Sequence, residues 1–137
     1  MQPKLVLVPE GMAKRLSHGM MLIPTALEVD AMIRKISRGQ VTTLAQIRKR
    51  LARWHNADVT CPLVTGIFLR IVAEAAEEDR LAGRQEITPY WRVVRGDGGL
   101  NAKFPGGIEA QARWLAAEGH VIENGKVVMT RPVVSAA

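Results

Sequence analysis

The chain holds a single cysteine, Cys61, so no internal disulfide framework is open to it. Its three histidines, His18, His55 and His120, show no ligand spacing such as H-x-x-x-H, which argues against a structural zinc site. No apolar run approaches the ~20 residues of a membrane span. The N-terminal candidate, Met20 to Pro24, is too short for a signal-peptide core. Repeats and low-complexity segments are missing as well. These absences point to a cytoplasmic protein with no membrane partner, metal or other cofactor. What is present is ordinary for a folded domain: 137 residues, 47% hydrophobic and 23% charged, which is room for one compact core and not two. Nineteen Lys and Arg against thirteen Asp and Glu leave a net charge of +6, which favours anionic partners, nucleic acid first.

Along the chain, residues 1–23 read as an N-terminal arm, 24–130 as the domain and 131–137 as a tail. The apolar run Leu5 to Val8 lies between Pro3 and Pro9 and reads as a weak strand or part of that arm. The stretch around Lys14, Arg15 and Gly19 either drapes over the domain or reaches nucleic acid through Lys14 and Arg15. From Pro24 the pattern turns helical. Leu27, Ala31, Ile33 and Ile36 form an apolar stripe, and Pro24 suits the first turn. Glu28 and Asp30 lie early, Arg34, Lys35 and Arg38 lie late, and Gly39 stands where a stop is expected. Thr43-Leu44-Ala45-Gln46 fits a capping box that opens a second helix at Leu44. In it Leu44, Ile47, Leu51 and Trp54 face inward and Arg48, Lys49, Arg50 and Arg53 are left largely outside. After a turn at His55 to Asp58, Thr60 is a candidate cap and Pro62 begins a third helix that runs to about Leu81. Its apolar face comprises Leu63, Val64, Ile67, Phe68, Ile71 and Val72.

Two helices joined by a short turn give the outline of a helix-turn-helix, although a generic αα-hairpin has the same periodicity. Charge adds weight. From Met32 to Asn56 there are seven cations, at 34, 35, 38, 48, 49, 50 and 53, and no acid. Glu74, Glu77, Glu78 and Asp79 gather on the far half of the third helix. The segregation suits one face for an anion and an acidic end for a protein partner; a merely solvated basic face is the plain alternative. Pro89 excludes a long central strand between Ile87 and Val94. Phe104-Pro105-Gly106-Gly107 leads into a fourth helix with Ile108, Ala112, Leu115 and Ala116 on one side and Gly119 as its stop. Asn124-Gly125 is a two-residue hairpin turn between Val121-Ile122 and Val127-Val128-Met129, with Glu123 opposite Lys126. The expected class is α+β: a small, mostly helical, winged helix-turn-helix-like domain with a C-terminal β-hairpin.

Five segments in order carry a resemblance. They are Gly39-x-Val41-Thr42-Thr43, Val64-Thr65-Gly66, Pro89-x-x-Arg92-Val93-Val94 with Asp97-Gly98, Gly106-Gly107, and Trp114-Leu115-x-x-Glu118-Gly119. Together they resemble the DNA-binding domain of alkylguanine-DNA alkyltransferases and of the shorter alkyltransferase-like proteins, over about residues 24–129. The ribonuclease-H-like domain of the full transferases has no counterpart. The resemblance implies duplex DNA as partner and a second helix laid in the minor groove. It also implies an Arg that fills the gap left by an extruded guanine, a Tyr that rotates the phosphate, and an acceptor Cys in Pro-Cys-His-Arg activated by the His and a Glu.

Carried over residue by residue, the acceptor Cys position is Tyr90 and the His position is Trp91. Of the relay residues Glu118 remains, for which helix termination or a salt bridge is the implied role. The Tyr falls on Leu44, the Arg on Pro62, and the hinge Asn is missing. The resemblance thus implies a non-enzymatic DNA-binding protein of the branch that lacks the Cys, linked to DNA repair and without catalytic residues. Its DNA contacts are expected at Thr42, Thr43, Arg48, Arg50, Arg53, Thr60, Pro62, Thr65, Tyr90, Trp91, Arg92 and Arg95. Tyr90 and Trp91 form either a wall for a stacked base or a plug, and Arg92 meets pocket backbone or a phosphate. Two other readings stay open: an interaction module that has lost DNA binding, and an enzyme using Cys61, beside which no motif places a His, Asp or Asn.

Overall fold

A computed structural model describes residues 2–13 and 19–128. Lys14 and Arg15, and the segment 131–137, lie outside the described residues. The run after Pro3 forms strand β1 (Lys4–Leu7), followed by a single helical turn, α1 (Glu10–Ala13). β1 pairs antiparallel with β2 (Met20–Ile23), whose Met21 and Leu22 are buried. Next comes α2 (Ala26–Arg34), shorter than the sequence pattern suggested at both ends. Pro24 is outside it. Thr25 is the N-cap: its hydroxyl accepts from the Glu28 N–H, and the Glu28 carboxylate accepts in return from the Thr25 N–H, a reciprocal pair that satisfies two orphan donors. The helix ends at Arg34 with Lys35 as C-cap, and Gly39 (φ 84°) lies in the turn beyond. Ending there lets Ile36 leave the helical path and enter the core. Leu27, placed in the apolar stripe by its spacing, is exposed, whereas Val29, Met32 and Ile33 are buried.

β3 (Thr42–Thr43) leads directly into α3 (Leu44–Trp54), where the Thr43 hydroxyl accepts from the Gln46 N–H as the motif predicts. β4 (Val59–Thr60) runs parallel to β2 and delivers the chain to α4 (Pro62–Leu81). Pro62 opens that helix as expected, but its N-cap is Cys61 and not Thr60. The Thr60 hydroxyl is committed to donating to the Arg48 carbonyl at 2.8 Å. A 3-10 turn over Tyr90–Arg92 precedes β5 (Val93–Val94), which pairs parallel with β3 in only two registers. This agrees with the limit that Pro89 sets. α5 (Gly107–Ala117) follows, with Gly119 (φ 92°) just past its C-cap. The chain then closes with the hairpin β6 (Ile122–Glu123) and β7 (Lys126–Val127). Asn124 and Gly125 both have positive φ, 52° and 73°, the twist that two-residue hairpins need. Among the described residues this makes an α+β, winged helix-turn-helix-like domain, with α3 and α4 as the helical pair.

Helical faces are where sequence and structure part. Trp54, expected inward, is 57% exposed. On α5 it is Gln111 and Leu115 that are buried, while Ile108 and Ala116 face outward. On α4 the core is met by Thr65, Leu69, Val72, Ala73 and Ala76, while Leu63, Ile67 and Ile71 line the outer side at 64%, 51% and 46% exposure. The helix is apolar nearly all round in its first three turns, so periodicity alone cannot say which side the core takes. Small residues decide it, because α2 packs along α4 and close approach requires Ala73 and Ala76. Leu69→Ala should therefore cost about 2–5 kcal/mol in urea unfolding. Leu63→Gln and Ile67→Gln should stay within about 0.5 kcal/mol; a large loss at Ile67 would reverse the assignment of faces.

Candidate nucleic-acid interface

The twelve residues singled out by sequence separate into interior and surface groups. Thr42 and Thr43 are buried in the β3–β5 ladder. Thr60 and Thr65 are also buried, and the Thr65 hydroxyl donates back to the Cys61 carbonyl at 2.6 Å. Tyr90 and Trp91 are 1% and 5% exposed. Their side chains lie within an aromatic cluster: Tyr90 meets Trp91 and Phe104 edge-on, and Trp91 stacks on Trp114 with ring centroids 4.3 Å apart. Such pairs add to the burial that aromatic rings already contribute.

Arg92 is held inside as well. Its Nε and Nη2 donate to Glu118 at 2.9 and 2.8 Å, and its Nη1 donates to the Ile36 carbonyl at 2.7 Å. The Trp91 Nε1–H donates to the same carboxylate at 3.0 Å. Glu118 is also the C-cap of α5, so one carboxylate ends a helix and gathers the 3-10 turn against it. Burial pushes the Glu118 carboxyl up. The hydrogen bonds from Arg92 and Trp91, the Arg92 charge and the Gly39 N–H outweigh burial and hold it below the ordinary carboxylate range. Gln111, which no motif signalled, supports the neighbouring backbone: its amide donates to the carbonyls of Trp91 and Val93, both at 3.0 Å.

Beside this cluster lies an open cavity of ≈ 370 Å³ lined by Tyr90, Glu77, Arg80, Pro105, Gly106 and Trp114, among others. Gly106 (φ 77°) caps α5 at its rim, and a Cβ there would stand 2.5 Å from the Ala110 methyl group. Burial, and then the Glu77 carboxylate, push the Tyr90 phenol above its usual value, so it stays protonated at neutral pH. Cys61, the single thiol, is buried at the start of α4 on a different element.

The surface group is cationic. Arg48 is half-buried, and its Nε donates to the Thr60 carbonyl at 3.1 Å; burial, partly opposed by Cys61, lowers its pKa from the ordinary value. Lys49 and Arg53 are exposed and Arg50 is half-buried. Pro62 is half-buried at the α4 start, and Arg95 is exposed beside Asp97 in the turn before the hairpin. On α3 none of Arg48, Lys49, Arg50 and Arg53 has an acid within 4 Å among the described residues; Arg34, Arg70, Arg80, Arg84, Arg92 and Arg95 each do, while Lys35, Arg38 and Arg113, off that helix, do not. Unpaired cations on one helix are what a polyanion would neutralise. No group of three His, Cys, Asp or Glu among the described residues could hold a metal ion, and no described helix is long and apolar enough to cross a membrane.

Comparison with known proteins gives one family. The model for the 6-O-methylguanine DNA methyltransferase DNA-binding domain matches residues 24–120, from the residue before the α2 cap to the end of α5 and the turn after it. Neither a curated relative nor a solved structure matches.

Removing the carboxylate charge should expose how much Arg92 depends on it. Glu118→Gln leaves a guanidinium 14% exposed without its counter-ion, and should cost about 3–5 kcal/mol in urea unfolding at neutral pH. Because the folded carboxyl is held below its unfolded value, its stabilisation is complete above about pH 5 and fades as pH falls through the folded pKa. The gap between wild type and Glu118→Gln should therefore narrow on acidification; a gap constant from pH 7 to about pH 3 would contradict the ion pair's role.

Proposed function

We propose, from the premise that the chain belongs to the 6-O-methylguanine DNA methyltransferase DNA-binding domain family, that it binds duplex DNA in the context of alkylation repair and transfers no alkyl group itself. One observation carries the second half of that reading: the side chains that correspond to the transfer chemistry are committed to the core. Tyr90 stands at the acceptor position and Trp91 at the histidine position by residue-by-residue correspondence. The Glu118 carboxylate is taken up by Trp91, Arg92 and a backbone N–H. A protonated phenol is a poor nucleophile for displacement at carbon, and an indole N–H cannot accept a proton from a thiol or a hydroxyl. Burial of both rings favours the plug over a stacking wall. Cys61 is buried at the start of α4, whereas an acceptor thiol has to meet the alkyl carbon in line.

For DNA binding, the support is the family and the unpaired cations of α3. The proposed face comprises Arg48 and Lys49 on α3, the start of α4 at Pro62, and the Arg95 turn. Contacts there are mainly to phosphate, which fix the protein on the duplex without reading its sequence. With Leu44 and Pro62 where the flipping Tyr and Arg are expected, an alkylated guanine should be preferred over a normal one by less than about tenfold, or ~1.4 kcal/mol. The exposed stripe Leu63, Ile67 and Ile71 favours the second reading, an interaction module. An apolar outer side is what a protein partner would cover.

Fluorescence anisotropy with a plain duplex separates the two. If Arg48, Lys49 and Arg95 meet phosphates, log K should fall against log salt with a slope of roughly −3, and Lys49→Gln should reduce that slope by about 1. Undetectable duplex binding at low salt would hand the protein to the interaction-module reading. Intact-mass spectrometry after incubation with an oligonucleotide carrying a benzylated guanine should show the unmodified chain. A stoichiometric adduct on Cys61 would overturn the non-catalytic assignment.

A further inference from the structure

The cations of α3 do not share one side. Successive residues are turned by about 100° around a helix, and this sends Arg48 and Lys49 to the flank that borders Val59 and Thr60. Arg50 and Trp54 lie on the far side from Arg48, beside the end of α2, and Arg53 joins them there although it stands one turn after Lys49 on the same face. There they line a second surface cavity of ≈ 370 Å³ together with Lys35 and Met32. The buried Met32 lies at its base, three cations with no acidic partner among the described residues surround it, and the indole of Trp54 is 57% exposed. The Lys35 ammonium rests over that indole, 5.7 Å from the ring centroid.

The ring, flanked by His55 at 5.4 Å between centroids and overlain by the flexible-stemmed Lys35, is exposed among unpaired cations, and the two features together specify a ligand. The cations attract phosphate, while the ring offers a face to another flat π-system. In a duplex the base faces are already covered by their neighbours; an unpaired base has a free face. We propose that Lys35, Arg50, Arg53 and Trp54 form a single-stranded nucleic-acid subsite, in which one base stacks on Trp54 and the adjoining phosphates lie between the three cations. The Lys35 ammonium, on its four-carbon stem, moves from the ring to a phosphate when a base takes the ring face. An acidic peptide would engage the cations through carboxylates, but only one that also carries an aromatic side chain could stack on the indole. The subsite is centred on the side of α3 away from Arg48, adjoins the duplex face where Arg53 follows Lys49, and stands without it.

The test uses the full chain, a thymidylate oligomer about ten nucleotides long, a blunt hairpin duplex, and heparin as an anion without bases. The oligomer should quench the tryptophan emission saturably. Trp54→Ala should abolish that quench and weaken oligomer binding by about fivefold or more, while leaving hairpin affinity within about twofold. Arg50→Gln should weaken the oligomer and retain the quench at saturation. Should Trp54→Ala lower the melting temperature markedly, Trp54→Leu, which keeps apolar bulk and removes the π face, carries the same expectation. Unchanged oligomer affinity in a folded Trp54 variant, or an equal quench with heparin, would overturn the subsite. Hairpin binding without oligomer binding would sink this inference alone; oligomer binding without hairpin binding would sink the duplex reading alone.

Discussion

The buried contact between Arg92 and Glu118 is the constraint around which the C-terminal half of the domain is arranged. A guanidinium and a carboxylate taken almost out of water are tolerated only when each also finds hydrogen bonds. The chain supplies them from three places: the Ile36 carbonyl beyond α2, the Trp91 indole of the 3-10 turn, and the Gly39 N–H. The pair thus joins the turn after α2, the segment after Pro89 and the last residue of α5. It also explains why α2 ends early. Ile36 must leave the helix for its carbonyl to meet Arg92 and its side chain to reach the core. Once Arg92 is fixed, Tyr90 and Trp91 on the same short turn are drawn into the aromatic cluster with Phe104 and Trp114.

A second consequence concerns charge. Outside α3 the arginines are largely satisfied by acids on the same or adjoining elements, as in Arg34 with Asp30 and Arg80 with Glu77. On α3 itself no acid is present, so its positive charge is not cancelled locally. The net charge of +6 is thereby expressed most strongly on one helix and the end of α2 beside it, not spread as a uniform coat. Fields concentrated in this way act on encounter rate and orientation more than on the fold.

How far the sequence could be read depended on the range of the interaction involved. Local chemistry was legible: the Thr43 cap, Pro62 at the start of α4, the Gly119 stop and the Asn124-Gly125 turn each depend on residues within a few positions. The Thr25 and Glu28 capping box has the same short-range pattern, but Pro24 also suits a first helical turn, one that the Thr25 cap leaves outside the helix. Long-range packing was not legible. Nothing in a largely apolar stretch such as Leu63 to Val72 says that Leu69 and Val72 are inside while Ile67 and Ile71 are outside. Trp54 sits on the edge of its helix, where spacing assigns it to either side. Gln111 gave no signal, because a buried glutamine is specified by two distant backbone carbonyls and not by its own neighbours in sequence. The site residues divide in the same way: Arg53 is exposed, as its helical spacing implies, while the hydroxyls of Thr60 and Thr65 are spent inside the domain.

The central claim is that Trp91 and its partners hold the fold and do not touch DNA. Trp91→Phe tests it most directly, since it keeps a ring in the cluster while removing the N–H that Glu118 accepts and part of the ring's buried volume. Loss of a hydrogen bond to a charged group should lower the unfolding free energy by about 1.5–3 kcal/mol, while the affinity for a plain duplex, measured on the folded variant, stays as in wild type. Unchanged stability together with a roughly tenfold loss of duplex affinity would contradict the account and return Trp91 to the DNA interface.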